Sequence, residues 1–324
     1  MTWEPDLQRR VLEILSSLPA NDWLPDPSRT SVAPLSAGAY HVNFELNCGP
    51  SRAVVRLNRA SQWGLTAVEQ LTREYGTLKA VVRSGVTPRP LALIVSDPPL
   101  LVETFIEGEP FLYGEHLGSA ARAIAAVHRQ PVLNWERGAS SEAPESFLLR
   151  DGLEWLGKAE ANGSPKAVTS LLREAAQGLQ YPLPPTRRCI IHTDLTANNM
   201  LVTTRGCSIL DWEGARTGPP EWDLAYFLSP VTTRWAPEGF QSLSAEDHGV
   251  FLESYAKAIN QGAGVITRAV ERMLPLVIFR ALCWCVGFEA TEALNSDVGE
   301  RLFTFTSIGF IERTLLRDRR STQC

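Results

Sequence analysis

The apolar positions of this chain change their period about a third of the way along it. Residues 5–18 place Leu7, Val11, Ile14, Leu15 and Leu18 at helical spacing, and Pro19 ends the run. The period then falls to two. In "SVAPLSAGAYHVNFELN" Val42, Phe44 and Leu46 alternate with polar neighbours, which predicts a strand, a small-residue loop and a second strand. Cys48-Gly49-Pro50-Ser51 turns the chain, and "RAVVRLN" predicts the next strand. "AVEQLTREYGTLKAVVRSG" reads as an amphipathic helix with Gly85 as its C-cap. "LALIVSDPPLLVETFI" reads as a hairpin around Ser96-Asp97-Pro98-Pro99. Beyond Gly108 the period is mainly helical, in "LGSAARAIAAVHRQ", "LRDGLEWLGKAEAN", "SPKAVTSLLREAAQGL" and from about Glu246 to the end. The exception is 189–212, where two short strands are predicted around the polar island of "CIIHTDLTANNMLV".

The pattern predicts an α+β chain of two lobes. Residues 1–106 would form a five-stranded antiparallel sheet with one helix, and 107–324 a mainly α-helical lobe, with the boundary in "VETFIEGEPF". A length of 324 residues also favours two lobes over one core. Hydrophobic content of 44% and charged content of 21% are those of a soluble globular protein. No window approaches the roughly 20 apolar residues of a membrane helix, and the acids of the N-terminal stretch do not fit a signal peptide. A net charge of -5 without a basic run argues against nucleic acid. The six cysteines are scattered without zinc-ligand spacing, which predicts reduced thiols and a cytoplasmic protein.

Candidate chemistry gathers in the polar island, His192-Thr193-Asp194-Leu195-Thr196-Ala197-Asn198-Asn199, followed by "CSILDWEGA" with Asp211 at a strand end. Phosphoryl transfer asks for a hydroxyl placed in line with a γ-phosphate and for Mg²⁺ held against phosphate oxygens. Asp194 can accept the hydroxyl proton. Asn199 and Asp211 offer the oxygen ligands that Mg²⁺ prefers, and a hairpin would return them to one point. Asn and Asp also favour turns, but a turn alone does not predict flanking strands and a second carboxylate at a strand end.

These residues resemble those of the aminoglycoside phosphotransferase family, the small-molecule branch of the protein-kinase-like fold, with choline kinase and homoserine-type kinases as relatives. The family's H-G-D-L-x-x-x-N-x-L is matched by "HTDLTANNML", its I-D-W-E by "LDWEGA", and its G-D-P-x-x-D-L-A by "GPPEWDLAYFL", where Pro219 replaces an Asp and Asp223 is kept. The resemblance implies a two-lobed kinase-like fold. It implies that Asp194 is the base and that Asn199 and Asp211 hold Mg²⁺. "LSAGAY", with Ser36 and Gly38, would cover the nucleotide, ATP or GTP. Arg56 stands where the family has a lysine, with Glu74 as its ion-pair partner, and Glu103 to Phe105 would be the hinge against the purine.

His192 and Asp223 are expected to support the loop. Trp284, Phe288, Glu289 and Glu292 lie where the family builds its acceptor pocket. The expected activity is phosphate transfer to a hydroxyl of a small molecule, an aminoglycoside or other antibiotic, by a monomer or homodimer. The alternatives are a metabolic kinase of the choline, homoserine or sugar type, and a silent nucleotide-binding homologue, which the Arg56 replacement would favour.

Overall fold

The computed structural model describes residues 5–38, 40–59, 61, 64–132, 144–179, 187–235, 243–291 and 306–316. Its first part is a five-stranded antiparallel sheet in the order β1-β2-β3-β5-β4. The strands are β1 (Thr30–Ala37), β2 (His41–Cys48), β3 (Ser51–Asn58), β4 (Pro90–Ile94) and β5 (Leu100–Thr104). Two helices pack on it, α1 (Pro5–Ser16) and α2 (Ala67–Val81).

Alternation along these strands divides the sheet into an apolar face and a polar one. Val42, Phe44 and Leu46 of β2, Ala53, Val55 and Leu57 of β3, and Leu100 and Val102 of β5 join Val11 and Leu15 of α1 in one buried cluster. The residues between them face the other way. Asn43 pairs with Arg56 and Val54 with Glu103 across the register, so Asn43, Arg56 and Glu103 share this second face. The α2 helix starts on a capping box, in which Thr66 accepts from the Glu69 N–H and the Glu69 carboxylate accepts from the Thr66 N–H. Its buried face holds Gln70 and Glu74 as well as Leu71 and Leu78. After a short 3-10 turn it stops at Gly85, which has φ 74°.

The second part is built on helices α3 (Tyr113–His128), α4 (Pro144–Ala161), α5 (Lys166–Gln177), α6 (Pro220–Leu228), α7 (Ala245–Ala258) and α8 (Ala263–Thr291). The α4 and α8 helices approach closely. A Cβ on Gly152 would lie 2.7 Å from the Phe279 ring, and one on Gly287 would lie 2.7 Å from the Trp155 carbonyl oxygen. No helix among the described residues is long and apolar enough to cross a membrane. The five described cysteines are free and buried.

The hairpin that carries the polar island differs from the expectation. The strand before it, β7 (Cys189–Ile191), pairs with β10 (Arg216–Gly218) and not with the strand after it. That strand, β8 (Met200–Thr203), pairs with β9 (Gly206–Ile209) and with the two-residue β6 (Glu109–Pro110). The segment at the expected lobe boundary, in "VETFIEGEPF", thus supplies a third strand. Close approach explains its glycine, since a Cβ on Gly108 would lie 2.7 Å from the Val202 carbonyl oxygen.

Candidate active site

The β7 strand and the β8–β9 hairpin hold the two ends of the loop 192–199. Below them, the Asp223 carboxylate accepts from two backbone groups, His192 N–H at 2.7 Å and Thr193 N–H at 2.8 Å. The same carboxylate meets His128 Nε2 at 3.1 Å, and His128 Nδ1 meets the Tyr255 hydroxyl at 2.8 Å. All of these side chains are buried. Asp223 therefore fixes the backbone from which Asp194 projects. His192 braces the same loop from its other side. Its Nδ1 accepts from the Asp194 N–H at 3.3 Å, so its Nε2 carries the proton and donates to Leu210 O at 2.7 Å. Neither ring nitrogen is left for a substrate.

The Asp194 carboxylate is held on both oxygens. Tyr226 on α6 donates to Oδ1 at 2.8 Å, and Asn199 Nδ2 to Oδ2 at 3.2 Å. Asn199 Nδ2 also donates to the Asp194 carbonyl at 2.8 Å, which leaves the amide Oδ1 as its acceptor for another partner. Although Asp194 opens to the cleft, its place among protein groups raises its carboxyl to about 6, through desolvation opposed first by His192. The carboxylates of Asp211 and Glu213 add to the rise. The hairpin brings Asp211 back beside this loop, since Met200 pairs with Ile209 and the Leu210 N–H donates to the Asn199 carbonyl at 2.9 Å.

Opposite the loop, the second face of the sheet carries a cluster around Arg56, whose side chain is 3% exposed. Its Nε lies 3.1 Å from Glu74 Oε2, an ion pair whose angle is not that of a hydrogen bond. Its Nη2 bonds to Asp211 Oδ1, stands 3.7 Å from Glu213 Oε2 and donates to His41 Nδ1 at 3.0 Å. Burial alone would weaken the guanidinium's charge, but Asp211, Glu74, Glu213 and Glu103 raise its pKa above the ordinary arginine range. Burial also opposes the charge of Asp211, which Arg56 and His41 nonetheless hold down to about 2. Desolvation pushes Glu103 up to about 7 and Glu74 well above the carboxylate range.

One guanidinium thus faces two carboxylates that front the cavity, Asp211 and Glu213, an imbalance that favours a further cation. His41, Asp211 and Glu213 each bring a ligand atom within 4.8 Å of the others, and Asn199 stands beside them with a neutral oxygen. Carboxylate and amide oxygens are the donors a hard divalent cation takes. The donor set fits Mg²⁺.

Two cavities meet at this point. One, of about 880 Å³, runs under the sheet and is lined by Ser36, Gly38, Arg56, Glu103, Phe105 and Asp211 among others. The other, of about 240 Å³, lies beyond Asp194 and is lined by Tyr226 and by Arg280, Ala281, Trp284 and Cys285 of α8. Gly38, His41, Asn198, Asn199 and Asp211 line both. Gly38 is tight against this junction, because a Cβ there would lie 2.8 Å from the His41 ring. In the segment expected to form the hinge, Phe105 lies under the Arg52 guanidinium at 3.6 Å. Among the described residues, its backbone N–H and C=O make no hydrogen bond.

Most of the expected site residues gather here, the Glu103 side chain within the Arg56 cluster; two placements differ. Phe288 stacks on Trp284 at 4.9 Å, one helical turn past the pocket wall. Glu289 lines a separate cavity with Asn162, Ser164 and Ser307. Glu292 lies outside the described residues, as does Ala39 of the loop that carries Ser36 and Gly38.

The sequence reading did not single out His41, Glu213, Tyr226 or Arg280. Glu213 sits inside the "DWE" motif and was legible there. His41 begins the polar face of a strand whose other face is apolar, a weaker signal.

Solved structures with this architecture carry its fold. A choline kinase from Cryptosporidium parvum Iowa II is 16% identical, with a TM-score of 0.69 over 96% of this chain and 97% of that one. An amicoumacin kinase in complex with AMP-PNP, Ca²⁺ and Ami is 14% identical, with a TM-score of 0.65 over 95% and 94%. A spectinomycin phosphotransferase with ADP and spectinomycin is 13% identical, with a TM-score of 0.59 over 96% and 95%. No curated protein sequence matches the chain. The fold is therefore kinase-like, as the motifs imply. The sequence model of the phosphotransferase enzyme family matches residues 31–268, spanning the sheet, the Asp194 loop, the Asp211 turn and the helices behind them, and the chain belongs to that family.

Proposed function

We propose that this protein moves the γ-phosphate of ATP or GTP, as its Mg²⁺ complex, to a hydroxyl of a small molecule. The part bearing the sheet, 1–106, clamps the nucleotide, and 107–324 supplies the loop and the acceptor pocket. The observation that carries the reading is the shared wall of the two cavities. A nucleotide under the sheet and an acceptor beyond Asp194 would meet at Asn199 and Asp211.

In this reading the Asp194 carboxylate takes the acceptor's hydroxyl proton as the acceptor oxygen bonds to the γ-phosphorus. The bond from that phosphorus to the β-phosphate oxygen breaks, and the nucleoside diphosphate leaves. Tyr226 and Asn199 keep the carboxylate aimed. Arg56, anchored by Glu74, is the phosphate contact, and the buried ion pair supports an arginine doing the work of the family's lysine. Ser36, Ala37 and Gly38, all small, line the cavity where the phosphates would lie. Asn199 and Asp211, with Glu213 at hand, would hold Mg²⁺, which neutralises charge on the phosphate oxygens when bound.

The test is mass spectrometry of products from Mg-ATP and Mg-GTP with a mixed panel of acceptors. The panel holds aminoglycosides, other hydroxylated antibiotics, choline, ethanolamine, simple sugars and hydroxy acids. Asp194→Asn is the blank. A phosphorylated product that is missing from the blank is the expected result. Equal product from both proteins would remove Asp194 from the reaction.

A further inference from the structure

The wall of the acceptor pocket carries an unusual charge. Its carboxylates among the described residues are Asp194, Asp211 and Glu213, all at the nucleotide end. The wall built by α6, the segment after it and α8 has Tyr226, Val231, Ala281, Trp284 and Cys285, and among the described residues its charged side chain is Arg280. Asp151 offsets this charge from behind, so what the cavity meets is the donor edge of the guanidinium. Asp151 of α4 bonds to Arg280 but does not line the pocket, and Glu289 opens on the separate cavity.

Arg280 is placed to bind and not only to brace. Its side chain is 12% exposed, and it donates Nε–H to Asp151 Oδ2 at 2.8 Å. Among the described residues this is its hydrogen bond, so the Nη1/Nη2 edge of the fork is left over. That edge matches two oxygens of a carboxylate end-on. Asp151 fixes the plane of the guanidinium in advance, which lowers the entropy lost on binding. Trp284 lies one turn along α8, held by Phe288 stacked at 4.9 Å and by Trp155 edge-on at 6.4 Å. The pocket therefore offers a rigid apolar plate beside a fixed cation.

Such a wall disfavours an acceptor with several ammonium groups, which would need carboxylates where Arg280 stands. The volume of about 240 Å³ lies below the roughly 300–1,000 Å³ of pockets for drug-sized ligands. We propose that the acceptor is a small hydroxy acid, whose carboxylate is held by Arg280 and whose apolar body packs on Trp284, with its hydroxyl at Asp194. Arg280 is then the residue that selects the acceptor. This inference rests on the phosphotransfer reading for the hydroxyl end alone; the carboxylate end stands on the charge and shape of the pocket.

Ligand-observed NMR on the full chain with Mg-AMP-PNP tests it, using short aliphatic and aromatic hydroxy acids, each beside its primary amide. At least one acid should bind at least tenfold more tightly than its amide, and Arg280→Gln should remove that preference. Because Arg280→Gln leaves Asp151 without its partner, the double variant Asp151→Asn/Arg280→Gln is measured as well and should show the same loss. The proposal is overturned if no acid outbinds its amide, or if both variants keep the preference. It is overturned too if Arg280→Gln weakens Mg-AMP-PNP as much as the acid, since the guanidinium then serves the phosphates. Phosphate transfer is scored separately. An acid that binds through Arg280 and is not phosphorylated keeps this subsite and counts against the phosphotransfer reading. Transfer to amides and amines as readily as to acids does the reverse.

Discussion

Tyr226 donates its phenolic hydrogen to the Asp194 carboxylate at 2.8 Å, from a helix that the catalytic-loop motif does not include. The bond settles which way the carboxylate faces. A hydrogen bond to a charged group contributes about 1.5–3 kcal/mol, so its loss should matter to both the position and the ionisation of Asp194.

Tyr226→Phe is expected to lower kcat by about tenfold, the factor that corresponds to 1.4 kcal/mol, with little change in KM for the nucleotide. The pH profile gives a second readout. In the proposed reaction Asp194 acts as a carboxylate, so activity should be present above its pKa and be lost as pH falls through about 6. The Tyr226 bond stabilises the ionised form and lowers that pKa. Without it the acid limb should move to higher pH. An unmoved limb with a lowered kcat would mean that Tyr226 acts by packing alone.

Arg56 invites a paired comparison. Arg56→Ala removes the cation from among Glu74, Asp211, Glu213 and Glu103, and breaking a buried ion pair in this way costs about 3–5 kcal/mol. Thermal unfolding should show a clear drop in Tm along with loss of transfer. Arg56→Lys keeps the charge but not the fork. It should recover most of the stability and part of the activity, with a raised KM for the nucleotide. If the two variants are equally impaired in both respects, the guanidinium is not a phosphate contact.

Asp211→Asn keeps the shape of the side chain and removes its charge. Nucleotide affinity should then lose its dependence on Mg²⁺: adding the metal should tighten wild-type binding at least tenfold more than it tightens the variant's. A calorimetric titration with and without Mg²⁺ checks this. Equal tightening in both would transfer the metal to other ligands, with Glu213 and Asn199 the next to vary.

How much of this site was legible depended on how local it is in sequence. Asp194, Asn199 and Asp211 fall within one short stretch, and their spacing with the flanking apolar runs carried the chemistry. The polar face of β2 and β3 was legible for the same reason, because alternation shows wherever one side of a strand is buried. The strand partners were not. Apolar runs as short as β7 and β8 do not encode which neighbour they pair with, and only the fold shows that β7 goes to β10. Tyr226 and Arg280 look like ordinary helix residues in the sequence. Their meaning comes from α6 and α8 meeting at the loop. Trp284 was read as a pocket residue and lines the pocket, whereas Phe288 and Glu289 are one turn further, where the wall has ended.

Thr193 stands where the related motif has glycine, and its φ of 73° explains the glycine. A β-branched residue in the left-handed region is strained by about 1–3 kcal/mol. The protein holds it there through its N–H to Asp223 at 2.8 Å and its Oγ1 to Gly214 O at 3.0 Å. Gly214 is itself confined, since a Cβ there would lie 2.6 Å from that Oγ1. At an ordinary position glycine is less stable than alanine by about 0.4–1 kcal/mol, through the freedom of the unfolded chain. Here the order should invert. Thr193→Ala loses the hydroxyl bond and keeps the strain of a Cβ at positive φ; Thr193→Gly loses the same bond and releases the strain. Chemical denaturation should therefore find Thr193→Gly at least as stable as Thr193→Ala, with both below or near the wild type. Alanine clearly above glycine would show that this turn is not strained, and that threonine is kept there for its hydroxyl alone.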